Sequence, residues 1–346
     1  MVKKRTIYDI ASELGLAPGT ISKVLNHTGN VSLKTRERVL TYIKQVGYVP
    51  TSSARMLKSK RTYTIGVVFT EESDIGLEHS FFSSILQSFK TYVENEGYEL
   101  SFIVRKLGNN ELTYYEWCMN KRVDGVYIVV GDFNDQGLHE ILESGIPAVS
   151  TDMFLPGLHT VIGDNDQGIK ITLEYVKNEL KKKHIAMVGG PATSKAFVER
   201  LISFQKYAKE MKLQSTADDI VLSESFGFTG GFNAVGQLMK QVKSRPEVIL
   251  AASDDIALGV IKGLTSMGIK IPEDIQVIGF DDIAFAKHFT PALTTVAQNR
   301  RLIGETAAKM LIQLIESPED EIEELIMLPV KLMERETTKR YKNTIK

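Results

Sequence analysis

From Tyr63 onward the chain alternates short apolar runs with amphipathic stretches, and this alternation restricts the fold more than any other feature. The runs at 64–69, 99–104, 125–130, 148–150, 185–189, 248–252 and 277–280 have strand length and are rich in Val and Ile. Between them, stretches such as 82–96, 138–144, 169–180 and 197–211 carry apolar residues at helical spacing. Repeated βα units imply parallel sheets with helices on both faces. Such sheets bind ligands beyond the C-terminal ends of their strands, where the loops gather. A chain of 346 residues also exceeds one usual domain, so at least two compact units are expected.

The first 62 residues follow a different pattern. They hold twelve Lys/Arg against three Asp/Glu, while the other 284 hold thirty against forty, so a net charge of −1 conceals a basic head on an acidic body. That asymmetry is the electrostatic footprint of a nucleic-acid binder. A basic membrane anchor could produce it too, but the strong apolar face such anchors need is missing. Thr6 and Asp9 have capping-box spacing, with Ile7, Ile10, Ala11 and Leu14 behind them on one helical face. Gly15 supplies a turn, and Pro18 suits the first position of a second helix that buries Ile21, Val24 and Leu25. Ser32 opens a third helix with Val39, Leu40, Ile43 and Val46 inward, closed by Gly47 and Pro50. Two short helices joined by a glycine turn and braced by a third form a helix-turn-helix unit. A three-helix bundle without a DNA role fits the same apolar pattern, and the charge of the head argues against it.

The run TIYDIASELGLAPGTISKVLN resembles the start of lactose-repressor/galactose-repressor (LacI/GalR) family transcription regulators. VIGDNDQG, KKHIAMVGGP, AASDDIALGVIKGL, IPEDIQVIGFDD and PALTTVAQ extend the likeness through the body. The resemblance implies a small all-α helix-turn-helix head plus an α/β periplasmic-binding-protein-like body of two doubly wound parallel-sheet lobes. It places the DNA-binding domain at 1–49, a hinge at 50–62 and an effector-binding and dimerisation domain at 63–346. Within that body the N-lobe is expected at about 63–162 and 295–325, and the C-lobe at about 163–294 and 326–346. The DNA-facing residues it implies are Thr6, Ala17, Pro18, Gly19, Thr20, Ser22, Lys23 and Asn26, together with Ala54, Arg55 and Leu57 of the hinge. By resemblance Leu57 wedges into the minor groove, although Ser-Ser and several Lys are also the composition of a plain linker. Three departures matter. Ala17 stands where a Ser cap is usual, Pro18 and Gly19 have no base-reading groups, and Lys23 lacks the bidentate fork of Arg.

Effector contacts carried over from the family fall on Phe82, Asp152, Arg200, Phe226, Ser253, Asp281 and Gln298. Asp and Arg can make charge-assisted hydrogen bonds to hydroxyls, and a Phe can stack on the apolar face of a sugar. Each has a plainer reading: Asp281 could cap a following helix, Arg200 could be a surface residue, and the Phe residues could be core. Glu71, Glu72, Asp74 and Glu78 make the loop after the first strand acidic, which disfavours a strongly anionic effector and favours a neutral sugar or glycoside. No P-loop, GxSxG or HExxH occurs, and the six histidines are scattered, so neither an enzyme, a cofactor nor a metal is expected. Gly189-Gly190 and Gly230-Gly231 are weak phosphate-loop candidates, and the carboxylates of 254–255 and 281–282 read better as helix caps than as a hydrolase pair. The single Cys118 excludes an internal disulfide. With no signal peptide or apolar span evident, a cytoplasmic repressor is expected, gripping palindromic double-stranded operator DNA as a homodimer. The polar tail RETTKRYKNTIK lacks leucine heptads, which argues against pairing of dimers.

Overall fold

The computed structural model describes residues 5–25, 29–48, 61–69, 77, 79–130, 134–151 and 153–341. Two compact units emerge, Met1–Thr62 and Tyr63–Lys346.

In the first unit, α1 (Ile7–Leu14), α2 (Pro18–Leu25) and α3 (Leu33–Val46) surround a core of Ile10, Ala11, Leu14, Ile21, Val24, Val39 and Ile43. The Thr6–Asp9 capping box forms: Asp9 N–H donates to Thr6 Oγ1, and Thr6 N–H donates to Asp9 Oδ2 at 2.7 Å. Gly15 (φ 64°) and Gly47 (φ 63°) close α1 and α3 in the left-handed conformation, where a Cβ would be penalised. Arg38 Nη2 donates to Leu14 O at 2.5 Å, fastening α3 to the end of α1. One expectation fails here. Leu40 is exposed, because α3 has only a narrow buried seam centred on Val39 and Ile43.

The second unit begins with β1 (Thr64–Phe69), α4 (Ser80–Asn95), β2 (Glu99–Ile103), the small hairpin β3 (Lys106–Leu107) and β4 (Asn110–Glu111), and α5 (Tyr114–Lys121). It continues with β5 (Gly125–Val130), α6 (Gln136–Glu143), β6 (Ala148–Ser150) and β7 (His159–Gly163). Next come α7 (Asn165–Asn178), β8 (Ile185–Gly189), α8 (Lys195–Glu210), β9 (Ile220–Leu222), α9 (Phe228–Gln241), β10 (Val248–Ala251), α10 (Asp254–Ser266) and β11 (Gln276–Asp281). The chain closes with β12 (Thr294–Ala297), α11 (Arg300–Glu316), β13 (Leu325–Leu328) and β14 (Lys331–Met333).

The strands form two six-stranded sheets, ordered β13-β7-β6-β5-β1-β2 and β14-β12-β11-β10-β8-β9. Within these two sheets every pairing is parallel except that of β12 with the edge strand β14, and the separate β3–β4 hairpin is antiparallel. Strand β5 shows why the parallel reading works: all six residues are buried, Val126 and Ile128 in one hydrophobic cluster and Tyr127 and Val129 in another. Only a strand covered on both faces takes a continuous apolar run of this kind.

Three crossings join the lobes, after β7, after β12 and after β13. The lobe limits differ slightly from the sequence expectation. Residues 295–297 stay in the second sheet, since β12 pairs with β11 through Thr295↔Gly279, and residues 326–328 stay in the first, since β13 pairs with β7. The tail through Tyr341 folds back on the second lobe: Thr337 O accepts from Val277 N–H, and Arg335 Nη2 reaches Asp282 at 2.6 Å. Gly230 and Gly231 lie inside α9 rather than in a phosphate loop. A Cβ on Gly231 would come within 2.1 Å of Ile256 O, so this glycine admits close packing of α9 on α10, while one on Gly230 would lie 2.1 Å from Ser223 Oγ. No helix among the described residues is long and apolar enough to cross a membrane.

Candidate functional site

On the head, Ala17, Gly19 and Lys23 are exposed, while Pro18, Thr20 and Ser22 are half-buried along α2. Helix α2 starts without a side-chain acceptor; the Ala17 carbonyl accepts from Thr20 N–H at 2.8 Å. A Cβ added at Gly19 meets nothing within 4 Å, so that surface is open. Thr6 is occupied by its capping box and exposed. Asn26, Ala54, Arg55 and Leu57 lie outside the described residues, as do Asp152 and the acidic residues Glu71, Glu72, Asp74 and Glu78.

In the body, the remaining effector candidates converge where the C-terminal ends of the second sheet meet the crossings. Arg200 projects from α8 and is almost fully buried. Its Nε donates to Asn165 Oδ1 at 2.8 Å, its Nη1 to Ala252 O at 2.6 Å, and its Nη2 lies 3.5 Å from Asp281 Oδ1. The guanidinium sits over Phe280, 3.7 Å from the ring centroid, a placement that restrains its plane. Gln298, arriving on the second crossing, donates through Nε2 to Asp281 Oδ1 at 2.7 Å. It packs so closely on Gly163 of the first crossing that a Cβ there would lie 2.2 Å from its Oε1.

Asp281 ends β11 at φ 120° and Asp282 follows at φ 54°, two consecutive residues in backbone regions that side chains disfavour. Strain of this kind persists only where the surroundings over-determine it. Burial raises the Asp281 carboxyl to about 6, against the opposing pull of Arg200 and Gln298. The helix-cap reading of the paired carboxylates is replaced by a bracing role. Ser253, not Asp254, caps α10, and Asp254 is fully buried, accepting from Thr295 Oγ1 and Ile283 N–H. Burial, with the Asp281 carboxylate beside it, pushes Asp254 well above the usual carboxylate range.

The aromatic candidates join the same network. Phe226 packs on Phe197 (centroids 5.8 Å apart), which in turn lies 5.7 Å from the Arg200 guanidinium. Phe82 lies 5.0 Å from the ring of His79, whose Nε2 is 3.5 Å from Asp255 of α10, a polar contact bridging the lobes. Burial lowers the His79 pKa against the pull of Asp255, and raises Asp255 against the pull of His79. Lys195 Nζ makes a second bridge, donating to Phe154 O at 2.6 Å. Sequence reasoning missed Asn165, His79, Asp255 and Phe280. Asn165 had a local signal in its place directly after a strand, whereas the other contacts depend on the lobes meeting.

Residues 6–51 match bacterial regulatory proteins of the lacI family, and residues 178–338 match a periplasmic binding protein-like domain. Over 341 residues the chain is 32% identical to the HTH-type transcriptional repressor PurR of Vibrio cholerae, covering 96% of this chain and 98% of that protein. A solved structure of the Lac repressor dimer bound to operator and the anti-inducer ONPF superposes with a TM-score of 0.80 at 27% identity, covering 97% of this chain and 99% of that one. The complex of the transcriptional regulator CelR with cellobiose gives 0.69 at 26% identity, covering 96% and 99%. A helix-turn-helix head on a two-lobe body of this kind defines a DNA-binding transcription regulator. The chain belongs to the LacI family of bacterial regulatory proteins.

Proposed function

We propose that the protein is a repressor that grips a palindromic operator as a homodimer and whose operator affinity is set by a small polar effector held between the lobes. The observation that carries this reading is the buried Arg200–Asp281–Gln298 constellation, with its strained backbone and raised carboxyl, at the junction of the crossings. A buried cation and carboxylate that share one ligand-facing edge suit charge-assisted bonds to an uncharged polar ligand. In this reading Phe82, Asp152, Phe226 and Ser253 complete the pocket.

The head acts as residues 1–49, reading DNA through Thr20, Ser22, Lys23 and Asn26, with 50–62 as the hinge and 63–346 as the effector body. Exposed Phe228 and Phe232, one turn apart on α9, and Met267 after α10 supply an apolar face for self-association. Such a regulator works within the aqueous interior of the cell, and the body performs no catalysis.

A sugar or glycoside is the first effector reading, supported by the Arg, Asp, Asn and Gln side chains gathered at the site and by cellobiose in CelR. The PurR relatives and the two Phe side chains favour a second, a planar purine-type ring. Calorimetric titration of the full chain with neutral sugars and purine bases, repeated with Arg200→Ala, tests the site. Binding by either class that Arg200→Ala removes supports the reading; binding that Arg200→Ala leaves at full strength refutes it.

A further inference from the structure

The wall that the first lobe contributes to this seam has its own unmet chemistry. Helix α4 follows β1 and helix α11 leads into β13, and both strands run the same way in one sheet, so the two helices run parallel. They touch closely at Gly304, where a Cβ would lie 2.4 Å from Ile85 O and 2.9 Å from Phe89 N. One turn back on each helix puts Arg300 level with the first turn of α4, between Phe81 and Ile85, and so at the end of α4 that begins with Ser80. Both helix starts therefore stand at the strand ends that face the second lobe. The electrostatics agree: Arg300 is within range of Asp281 and depresses its pKa, and Asp255, paired with His79, acts on Asp281 as well.

Among the described residues the seam holds four Asp carboxylates, and three of them have a basic side chain close by. Asp281 has Arg200, Asp282 has Arg335 and Asp255 has His79. The fourth, Asp254, is held by Thr295 and Ile283. Arg300 forms no ion pair with any of them, and its Nη1 is buried without a hydrogen-bond partner among the described residues. Ser80 Oγ is buried and equally without a partner. A buried guanidinium N–H deprived of an acceptor is costly, and native structures seldom retain one without a purpose. The Arg side chain offers a planar fork suited to carboxylate or phosphate oxygens, and the Ser hydroxyl adds a donor.

We infer that Arg300 and Ser80 form a subsite for an oxyanion substituent, so that the effector is a polar molecule bearing a carboxylate or phosphate group. The inference rests on the proposed effector site and revises only the charge of its ligand. The neutral expectation came from four acidic residues, none of which is among the described ones. Arg300 and Arg200 both act on Asp281, so a ligand with an oxyanion at Arg300 would draw on a residue of each lobe.

The test is calorimetry on the full chain with matched sets, glucose, glucuronate and glucose 6-phosphate, then ribose and ribose 5-phosphate, with inorganic phosphate alone as a further probe. The acidic member of a set should bind at least about ten-fold more tightly than its neutral counterpart, the scale of one charge-assisted hydrogen bond. Arg300→Gln should erase that preference, Arg300→Lys should restore part of it, and Ser80→Ala should weaken it. A uronate preference identifies the carboxylate source, and a sugar-phosphate preference the phosphate source. Binding of inorganic phosphate that Arg300→Gln removes supports the subsite with free phosphate as its occupant. If no acidic probe binds, or if Arg300→Gln leaves the acidic preference intact, the subsite is refuted. A neutral ligand whose binding requires Arg200 but is indifferent to Arg300→Gln would refute the subsite and leave the effector site standing.

Discussion

Replacing Asp281 with Asn should make the unliganded protein more stable at neutral pH, and the gain should depend on pH. In the folded state burial raises this carboxyl from 3.8 to about 6. Well below pH 4 it is protonated in both the folded and unfolded states and adds no pH-dependent term. As pH rises through the window from about 4 to 6, the unfolded chain releases the proton first, so folding loses stability until both states are ionised. A shift of roughly 2 units at 1.36 kcal/mol per unit amounts to about 3 kcal/mol. Asn keeps the shape and the hydrogen bond to Gln298 but cannot ionise. Arg200 would lose one contact and keep Asn165 Oδ1 and Ala252 O, so the net gain at pH 7 falls between about 0 and 3 kcal/mol. Asp254 adds in the same direction, because its own pKa is raised partly by the Asp281 charge. Urea unfolding of both proteins from pH 4 to 7 measures the effect. The difference in unfolding free energy, variant minus wild type, should climb by up to about 3 kcal/mol over that range. A difference that stays flat would refute the assignment of a strained, costly carboxylate at this site.

Other consequences follow from the same contacts. Gly259→Val should destabilise the body by roughly 3 kcal/mol or more, seen as a lower denaturation midpoint, because a Cβ there would lie 2.0 Å from Phe228 O and neither helix can yield. Operator affinity should fall steeply with salt, with a log–log slope near −0.9 per phosphate contacted, and a salt-independent affinity for duplex DNA would contradict the basic head's role. Gly19→Gln should sharpen base preference in a selection on randomised duplexes at little cost in melting temperature, since the position is open and its φ is not positive. In the same selection, Leu57→Ala should relax preference at the centre of the site more than Thr20→Ala does, provided the hinge wedges there.

What could be read in the sequence was what depends on neighbours along the chain. The capping box of Thr6 and Asp9, the glycine stops at 15 and 47, and the buried strand at 125–130 are all encoded within a few residues, and all form as their local chemistry dictates. Leu40 misled because helical spacing identifies a face but not its width, and α3 buries a narrow seam. Gly230 and Gly231 looked like a loop because their intrinsic helix propensity is poor; close packing, of Gly231 on α10 and of Gly230 on Ser223 and Ser225, overrides it. The lobe limits near 295 and 326 were missed for a similar reason, since a four-residue strand belongs to whichever sheet edge it meets. Arg200 and Asp281 were found through family resemblance. Nothing local announced Arg300, nor the His79–Asp255 bridge, whose two residues lie more than 170 positions apart.

The proposed effector site lies on the crossings, where a ligand would act on both lobes at once. Gln298 and Arg300 lie on the segment that passes from the second sheet into α11, and α11 is packed along α4 in the first lobe. Asp281 ends the strand beside β12, so a ligand pulling on Asp281 also pulls on the root of that crossing. His79 and Asp255 link the lobes at one side through a 3.5 Å polar contact, Lys195 and Phe154 through a single hydrogen bond, and one buried apolar cluster draws on both lobes as well. Polar links of this strength are worth about a kcal/mol each, comparable to the 1–3 kcal/mol by which an effector typically shifts a two-state equilibrium. The lobes are thus joined firmly enough to have a preferred arrangement and loosely enough for one ligand to change it.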